Sequence, residues 1–113
     1  ISTWPALINL KLIQFLDWCF EELTDLDQII DESTRYQHCL ALSYTERILA
    51  RQYVAFHMSD PSGQQLTLGC ELHEGMLSYD QLEYAQNRKA PEATVKVAFQ
   101  FIDWLNSQFA PFK

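Results

Sequence analysis

The sequence has 113 residues and a mass of 13.2 kDa, with 48% hydrophobic, 13% aromatic and 20% charged residues. A folded chain of this size hides about two-thirds of its unfolded surface, which is enough for one hydrophobic core. Because glycine and proline are few and aromatic residues are frequent, the composition excludes disordered, collagen-like and linker sequences. We therefore expect a single domain spanning residues 1–113.

Negative charge is concentrated in one segment. The net charge is −7, from 15 acidic and 8 basic residues. Seven of the acids lie in a stretch without lysine or arginine: Asp17, Glu21, Glu22, Asp25, Asp27, Asp31 and Glu32. Nucleic acids and anionic membranes require clustered basic residues, so neither is an expected partner. A basic protein partner fits this segment, and an acidic surface that only keeps the protein soluble is the alternative.

The cysteines Cys19, Cys39 and Cys70 are odd in number and far apart. They have neither the paired spacing of a zinc site nor the pattern of a disulfide framework. No leader of the secretory type is visible, so we expect a cytoplasmic protein. The cysteine spacing predicts no metal site, and we expect no cofactor. The longest apolar stretch, residues 6–23, contains six polar residues and is not expected to span a membrane.

The first predicted element is a helix that Thr3 caps and that extends to Leu23, with Pro5 at an early position. At 100° per residue, one broad face collects its apolar side chains. These are Ile8, Leu12, Ile13, Phe15, Leu16, Cys19, Phe20 and Leu23. Three further apolar residues, Leu7, Leu10 and Trp18, fall on or beside the polar face. They suggest a second contact surface, such as a partner groove or a homodimer seam. A helix covered on two sides by its own domain is the alternative.

Two less regular segments follow. Residues 24–34 are acidic with three apolar positions, which suggests a second, short helix. Residues 36–44 favour a strand because apolar residues alternate there. The alternating residues are Leu40, Leu42 and Tyr44. A helix is the alternative, since Ser43 and Glu46 have the spacing of a capping box.

A β-hairpin is predicted around Asp60-Pro61-Ser62-Gly63, where proline suits a type I turn and glycine suits a positive φ. The expected register places apolar residues opposite one another on one face. The pairs are Met58 with Leu66, Phe56 with Leu68, and Val54 with Cys70. The other face is polar and is a possible ligand face. It carries Arg51, Tyr53, His57, Thr67, Glu71 and His73, with Tyr53 opposite Glu71 and Arg51 opposite His73.

The C-terminal part is predicted to be helical. Glu74-Gly75 reads as a turn, and Ser78 with Gln81 predicts a short helix through Arg88. Pro91 starts the last helix, whose core stripe is Val95, Ala98, Phe101, Ile102, Leu105 and Phe109. The predicted fold class is α+β, with a small antiparallel sheet of about three strands and the N- and C-terminal helices packed on one face.

No catalytic constellation is evident. Cys70 and His73 are three residues apart, so on a strand they point to opposite faces and cannot share a metal. His57 and His73 lie about 20 Å apart along the predicted face, which is too far for joint ligation. His73 with Glu71 or Glu74 has the chemistry of a general base, although it would also need a pocket.

The leading hypothesis is a non-catalytic acidic module, of an inhibitor, immunity or chaperone type, that binds a basic protein. Its expected contacts are the seven acids of residues 17–32 together with Leu7, Leu10 and Trp18. Reversing Glu21, Glu22, Asp25 and Asp27 to lysine is expected to weaken binding while the fold stays intact. One alternative is a subunit that assembles with its own copies, and another is a small enzyme or ligand sensor that uses the polar sheet face.

Overall fold

The computed structural model describes residues 3–8, 12–36, 40–84 and 88–113, with the backbone alone at residues 35, 36 and 40–43. Its elements, in chain order, are β1 (Ile13–Phe15), β2 (Trp18–Glu22), α1 (Leu26–Tyr36), α2 (Leu40–Leu49), β3 (Tyr53–Ser59), β4 (Gln65–His73), β5 (Met76–Glu83) and α3 (Glu92–Phe109). The strands form one antiparallel sheet in the order β1-β2-β3-β4-β5. The α+β class is confirmed, with five strands rather than about three.

Helices cover both faces of this sheet. Val54, Phe56 and Met58 of β3 belong to the larger core beneath α3. Tyr53 and Ala55, which alternate with them, belong to a smaller core that contains residues of α1 and α2. Since β3 is buried on both sides, the predicted polar face is not fully open to solvent.

The β3–β4 hairpin is confirmed residue by residue. Met58 pairs with Leu66, Phe56 with Leu68, Val54 with Cys70, and Tyr53 with Glu71. Gly63 has a φ of 93°, and the Asp60 carboxylate accepts hydrogen bonds from the backbone of Ser62 and Gln64. Arg51 lies before β3 with a φ of 60° and is not in the ladder, so its predicted pairing with His73 is wrong.

The predicted N-terminal helix is wrong, because β1 and β2 form a hairpin there. Leu16 and Asp17 make the turn, and Leu16 has a φ of 54°. Alternate residues Ile13, Trp18 and Phe20 are buried against α3, as expected for strands. The Phe20 ring stacks on Phe101 of α3 at 3.6 Å. Aromatic packing against a distant helix therefore outweighs the local helical pattern.

Two other elements differ from expectation. The segment 40–49 is helix α2, so the strand predicted over 36–44 is wrong where the backbone is described, and residues 37–39 lie outside the described ranges. The helix predicted from Ser78 through Arg88 is strand β5 as far as Glu83, and residues 85–87 lie outside the described ranges. Glu74 and Gly75 have φ values of 51° and 79°, which is the two-residue turn that joins antiparallel strands.

The helical expectations that are confirmed are α1 and α3. Helix α1 occupies most of the predicted acidic segment, and Pro91 is the N-cap of α3. The middle of the predicted α3 stripe is buried, although Phe109 at its end is 41% exposed. Helix α3 packs on one sheet face as predicted, without the expected N-terminal helix beside it.

Candidate functional site

The outer side of α1 carries an acidic stripe with an apolar centre. Asp27, Ile30, Asp31 and Thr34 are all exposed. Their spacing of three and four residues places them along one side of the helix. Ile30 is 46% exposed and lies beside the two aspartates, between them only along the helix axis. We call these four residues the α1 stripe. The sequence analysis included both aspartates but missed Ile30, which their common helical spacing would have identified.

Another acid of the same segment, Asp25, fixes the start of this helix. The Gln28 backbone N–H donates to Asp25 Oδ1 at 2.7 Å, and Gln28 Oε1 accepts from the Thr24 backbone N–H at 2.7 Å. This reciprocal arrangement satisfies backbone donors that the first turn leaves without helical partners. The Asp25 carboxylate therefore stabilises the start of α1.

Glu32 holds α1 against the sheet from its inner side. Its side chain is buried, and its carboxylate lies 2.9 Å from His57 Nδ1 on β3. The Thr67 hydroxyl of β4 donates to the same carboxylate. Glu21 of β2 pairs with His57 in the sheet, so a second carboxylate residue lies next to the imidazole in the ladder. A buried carboxylate is tolerated because hydrogen bonds of this kind satisfy it.

Glu22 serves the N-terminal segment in a similar way. It is 7% exposed, and both carboxylate oxygens accept from the Leu7 backbone N–H, at 2.9 and 3.1 Å. Burial raises the pKa of Glu22 above its ordinary value, while backbone hydrogen bonds from Leu7 and Ile8 and the charge of Arg51 oppose that rise. The Arg51 guanidinium donates to the backbone carbonyls of Pro5 at 2.7 Å and Lys113 at 3.1 Å. The Glu22 carboxylate and the Arg51 guanidinium therefore hold the N-terminal segment in place, and Arg51 also holds the C-terminal residue.

The predicted acidic site therefore separates into two groups. Glu22, Asp25 and Glu32 make contacts that hold the fold together. Asp17, Asp27 and Asp31 are exposed, Asp17 in the β1–β2 turn and the other two on α1. Glu21 is half-buried on β2. Only this second group offers charge at the surface.

The three apolar residues predicted to form a second surface are not displayed together. Trp18 is 8% exposed in the core beneath α3, and Leu7 is partly buried against the same core. Trp18 points inward because it lies on β2 of the hairpin, whereas the assumed helix turned it outward. Leu7 lies in the segment before the hairpin. Leu10 lies outside the described residues. Leu12 and Leu16, on either side of β1, are instead 60% and 61% exposed.

Residues of the predicted ligand face largely contact other parts of the chain, namely α2 and β5. Tyr53 is 1% exposed, its ring stacks on Tyr44 with centroids 4.6 Å apart, and its hydroxyl donates to Asp80 at 2.7 Å. Burial and the Asp80 contact raise the pKa of Tyr53. Arg47 lies 4.8 Å from the Tyr53 ring centroid and 3.3 Å from the Glu71 carboxylate. Sequence reasoning missed Tyr44, Arg47 and Asp80, because α2 and β5 were assigned to other structures.

The histidines of this face do not form a joint site. The His73 side chain is 85% exposed in a position next to the β4–β5 turn, and its Nε2 lies 3.7 Å from Glu74. His57 contacts Glu32, and the Thr67 hydroxyl donates to that carboxylate, so the three do not have the order hydroxyl, imidazole, carboxylate.

Metal and thiol chemistry find no support in the described part of the chain. Across residues 3–8, 12–36, 40–84 and 88–113, no group of three or more histidine, cysteine and acidic residues has the geometry to hold a metal ion. Cys70 is fully buried opposite Val54, where it was predicted, and burial raises the pKa of its thiol. A buried thiol of this kind is unreactive.

Among the cavities that the described residues line, two lie at the margins of the domain. One of about 370 Å³ borders β5 and the first turn of α3. The other, of about 430 Å³, lies between the terminal segments and is lined by Leu7, Arg51, Phe109 and Phe112 among others. Neither cavity is lined by His57 or His73.

Comparisons with known proteins found no match, so functional inference is based on the geometry described above. No family model matches the sequence, and no match was found among the curated proteins or the solved structures. Within the described ranges, none of the helices combines the length and the apolar character that crossing a bilayer requires.

Proposed function

We propose that this chain is a non-catalytic protein-binding module, of an inhibitor, immunity or chaperone type, whose partner is a basic protein. The observation that carries the proposal is the α1 stripe, in which exposed Ile30 lies beside exposed Asp27 and Asp31. Opposite charge in the partner would steer the encounter and fix its orientation. Burial of Ile30 in an apolar recess of the partner would slow dissociation.

The way α1 is held supports a binding role for its outer side. Asp25 fixes the first turn, and Glu32 fixes the middle of the helix to His57 and Thr67. The stripe is therefore ordered before a partner arrives, and a preordered surface loses less conformational entropy on binding.

A cytoplasmic location belongs to the same proposal. Cys19 and Cys70 are free thiols in the described structure, and free thiols are typical of a reducing compartment. Fractionation of host cells, followed by detection of the protein in soluble and membrane fractions, tests this part.

The binding proposal is tested with charge reversal on the stripe. We would immobilise the wild-type protein and the Asp27→Lys/Asp31→Lys variant and capture proteins from host lysate at low and high salt. We expect a basic protein that the wild type retains at low salt, that high salt weakens, and that the variant loses. The captured protein would then be purified and its affinity measured by calorimetry.

A matched control separates the stripe from net charge. Glu74→Lys/Asp103→Lys makes the same change in charge at two exposed positions away from α1. This control should keep at least half of the wild-type capture. Equal losses in both double variants would show that only overall charge matters, and equal capture by all three proteins would refute the role of α1.

Self-assembly is a second candidate, supported by the exposure of Leu12 and Leu16 beside the short edge strand β1. Sedimentation velocity over a range of concentrations would detect a dimer. Leu12→Ser/Leu16→Asn should then yield a monomer, since asparagine tolerates the positive φ of residue 16. A wild-type protein that stays monomeric at high concentration would rule this candidate out.

A further inference from the structure

Strand β5 forms one edge of the sheet, and its two ends are covered in different ways. Near its start, the Leu77 backbone N–H donates to Asn106 Oδ1 at 3.0 Å, and Asn106 Nδ2 donates to the Leu77 carbonyl at 2.9 Å. This side-chain amide takes the place of a neighbouring strand. Near its end, the Ala90 N–H donates to the Leu82 carbonyl at 3.4 Å. The returning chain therefore covers the other end.

The edge between these two covers is open. Leu77 pairs with Leu72, and Tyr79 with Cys70, so Tyr79 directs its N–H and carbonyl to the same outer edge as Leu77 does. Among the described residues, none donates to or accepts from these two groups of Tyr79. The stretch from Leu77 to Leu82 is about 16 Å long at the usual rise per residue. It contains a β-bulge, because Tyr79 pairs with Cys70 but Gln81 pairs with Gly69, and the bulge bends the strand at Asp80. An added strand of about three residues would therefore be centred on Tyr79, before the bulge.

The cavity of about 370 Å³ lies directly beside this open stretch. Its lining includes Tyr79 of β5 and Val95 of α3. Its lining carries two carboxylates, Asp80 and Glu83, against one ammonium group, Lys89, and this balance favours a positively charged side chain. One carboxylate oxygen of Asp80 accepts from the Tyr53 hydroxyl at 2.7 Å. The Tyr79 ring stacks on Phe99 with centroids 4.5 Å apart, and Phe99 is 49% exposed. The edge thus combines unpaired backbone groups, an apolar wall and excess negative charge.

We propose that the open edge of β5 binds an extended basic peptide segment of a partner protein by strand addition. The added strand would exchange backbone hydrogen bonds with Tyr79, and alternate side chains would enter the cavity beside Asp80 and Glu83. The site is separate from the α1 stripe, because the cavity includes Val95 of α3 whereas α1 packs on the other sheet face.

The probe is a library of random heptapeptides displayed on phage and selected on the immobilised protein. Selected sequences should contain lysine or arginine among residues that favour strands. The best peptide would be synthesised in its normal form and with N-methyl groups on alternate backbone amides, in both registers. One methylated form should bind at least about tenfold more weakly, since it lacks the donors that pair with the edge.

Variants of the protein locate the site. Tyr79→Pro removes the outward N–H without breaking the ladder, because proline is tolerated where that group faces solvent. It should weaken the peptide about tenfold. Tyr79→Val, which keeps the N–H but lacks the ring, is its matched control and should lose less affinity. Glu83→Lys should also weaken binding, whereas Asp103→Lys on the outer side of α3 should not.

The outcomes decide between the two proposed surfaces. Failure of any peptide to be selected, or equal binding of all methylated forms, would overturn strand addition. Peptides that still bind Tyr79→Pro but no longer bind Asp27→Lys/Asp31→Lys would overturn strand addition in favour of the α1 stripe. If circular dichroism shows that Tyr79→Pro is unfolded, the methylated peptides and Glu83→Lys still test strand addition.

Discussion

Gly69 on β4 allows the buried Tyr53 ring to cross the sheet surface and reach Asp80. A Cβ atom at residue 69 would lie 2.8 Å from Tyr53 Cζ and closer still to the hydroxyl oxygen. The ring has little room to retreat, because Tyr53 is 1% exposed and stacks on Tyr44. Gly69→Ala should therefore force the ring to move and break its hydrogen bond to Asp80.

The expected cost follows from those two effects. Overpacking costs about 1–3 kcal/mol, and a lost hydrogen bond to a charged group costs about 1.5–3 kcal/mol. We expect Gly69→Ala to lower the free energy of unfolding by about 2.5–6 kcal/mol, as measured by urea denaturation. Tyr53→Phe removes the clashing oxygen, so the double variant should be more stable than the two single losses added together predict.

An alanine at position 69 that costs less than about 0.5 kcal/mol would refute this reasoning. Additive losses would refute the claim that the hydroxyl is the group in conflict. Gly63→Ala is an informative control, because its φ of 93° strains the backbone although nothing lies within 4 Å of the added Cβ. The Tyr53→Phe background should relieve Gly69→Ala and leave the Gly63→Ala loss unchanged.

Three further predictions concern named side chains. Asp25→Ala should lower the free energy of unfolding by about 0.5–2 kcal/mol through loss of the α1 cap, whereas Asp27→Ala should change it by less than about 0.5 kcal/mol; urea denaturation compares them. The folded pKa of Glu22 is raised, so the folded state binds its proton more tightly and the wild type should lose stability relative to Glu22→Gln as the pH rises above 4.5. Parallel stability curves for these two proteins would contradict that sign. A thiol reagent should modify Cys19 but not buried Cys70 in the folded protein, so Cys19→Ser should remove one fast-reacting thiol and Cys70→Ala none.

The elements that sequence patterns predicted correctly are those specified by neighbouring residues. Turn residues 60–63 and the alternation on either side of them agree on one register, and the β3–β4 ladder has that register. Helix α3 combines Pro91 at its start with a sustained helical stripe. In both elements, local geometry and apolar pattern favour the same structure.

The N-terminal hairpin was not predictable in this way, because its residues fit two periods. Phe15 and Phe20 fall on one side of a helix at 100° per residue, and they also lie on one face of a hairpin that turns at Leu16 and Asp17. Their packing on Phe101, which is more than 80 residues away in sequence, decides between the two. No local pattern contains that information.

The acidic segment shows the same limit for the candidate site. The clustering of acids in the sequence predicted an acidic surface. It did not predict which of these acids hold the fold together and which are exposed. Glu32 meets His57 across 25 positions, and Glu22 meets Leu7 across 15. Only the fold distinguishes these anchors from the surface acids Asp27 and Asp31.

That distinction changes how the binding proposal has to be tested. Reversing Glu21, Glu22, Asp25 and Asp27 together was expected to leave the fold intact, but two of these acids are structural. A lysine at position 22 would place a buried cation against the backbone N–H of Leu7, and a lysine at 25 would remove the α1 cap. Removing one partner of a buried charged contact typically costs several kcal/mol, so lost binding would then report unfolding. Reversal at Asp27 and Asp31 leaves the Asp25 and Glu32 contacts in place, and urea denaturation of this double variant then shows whether binding is lost while α1 stays stable.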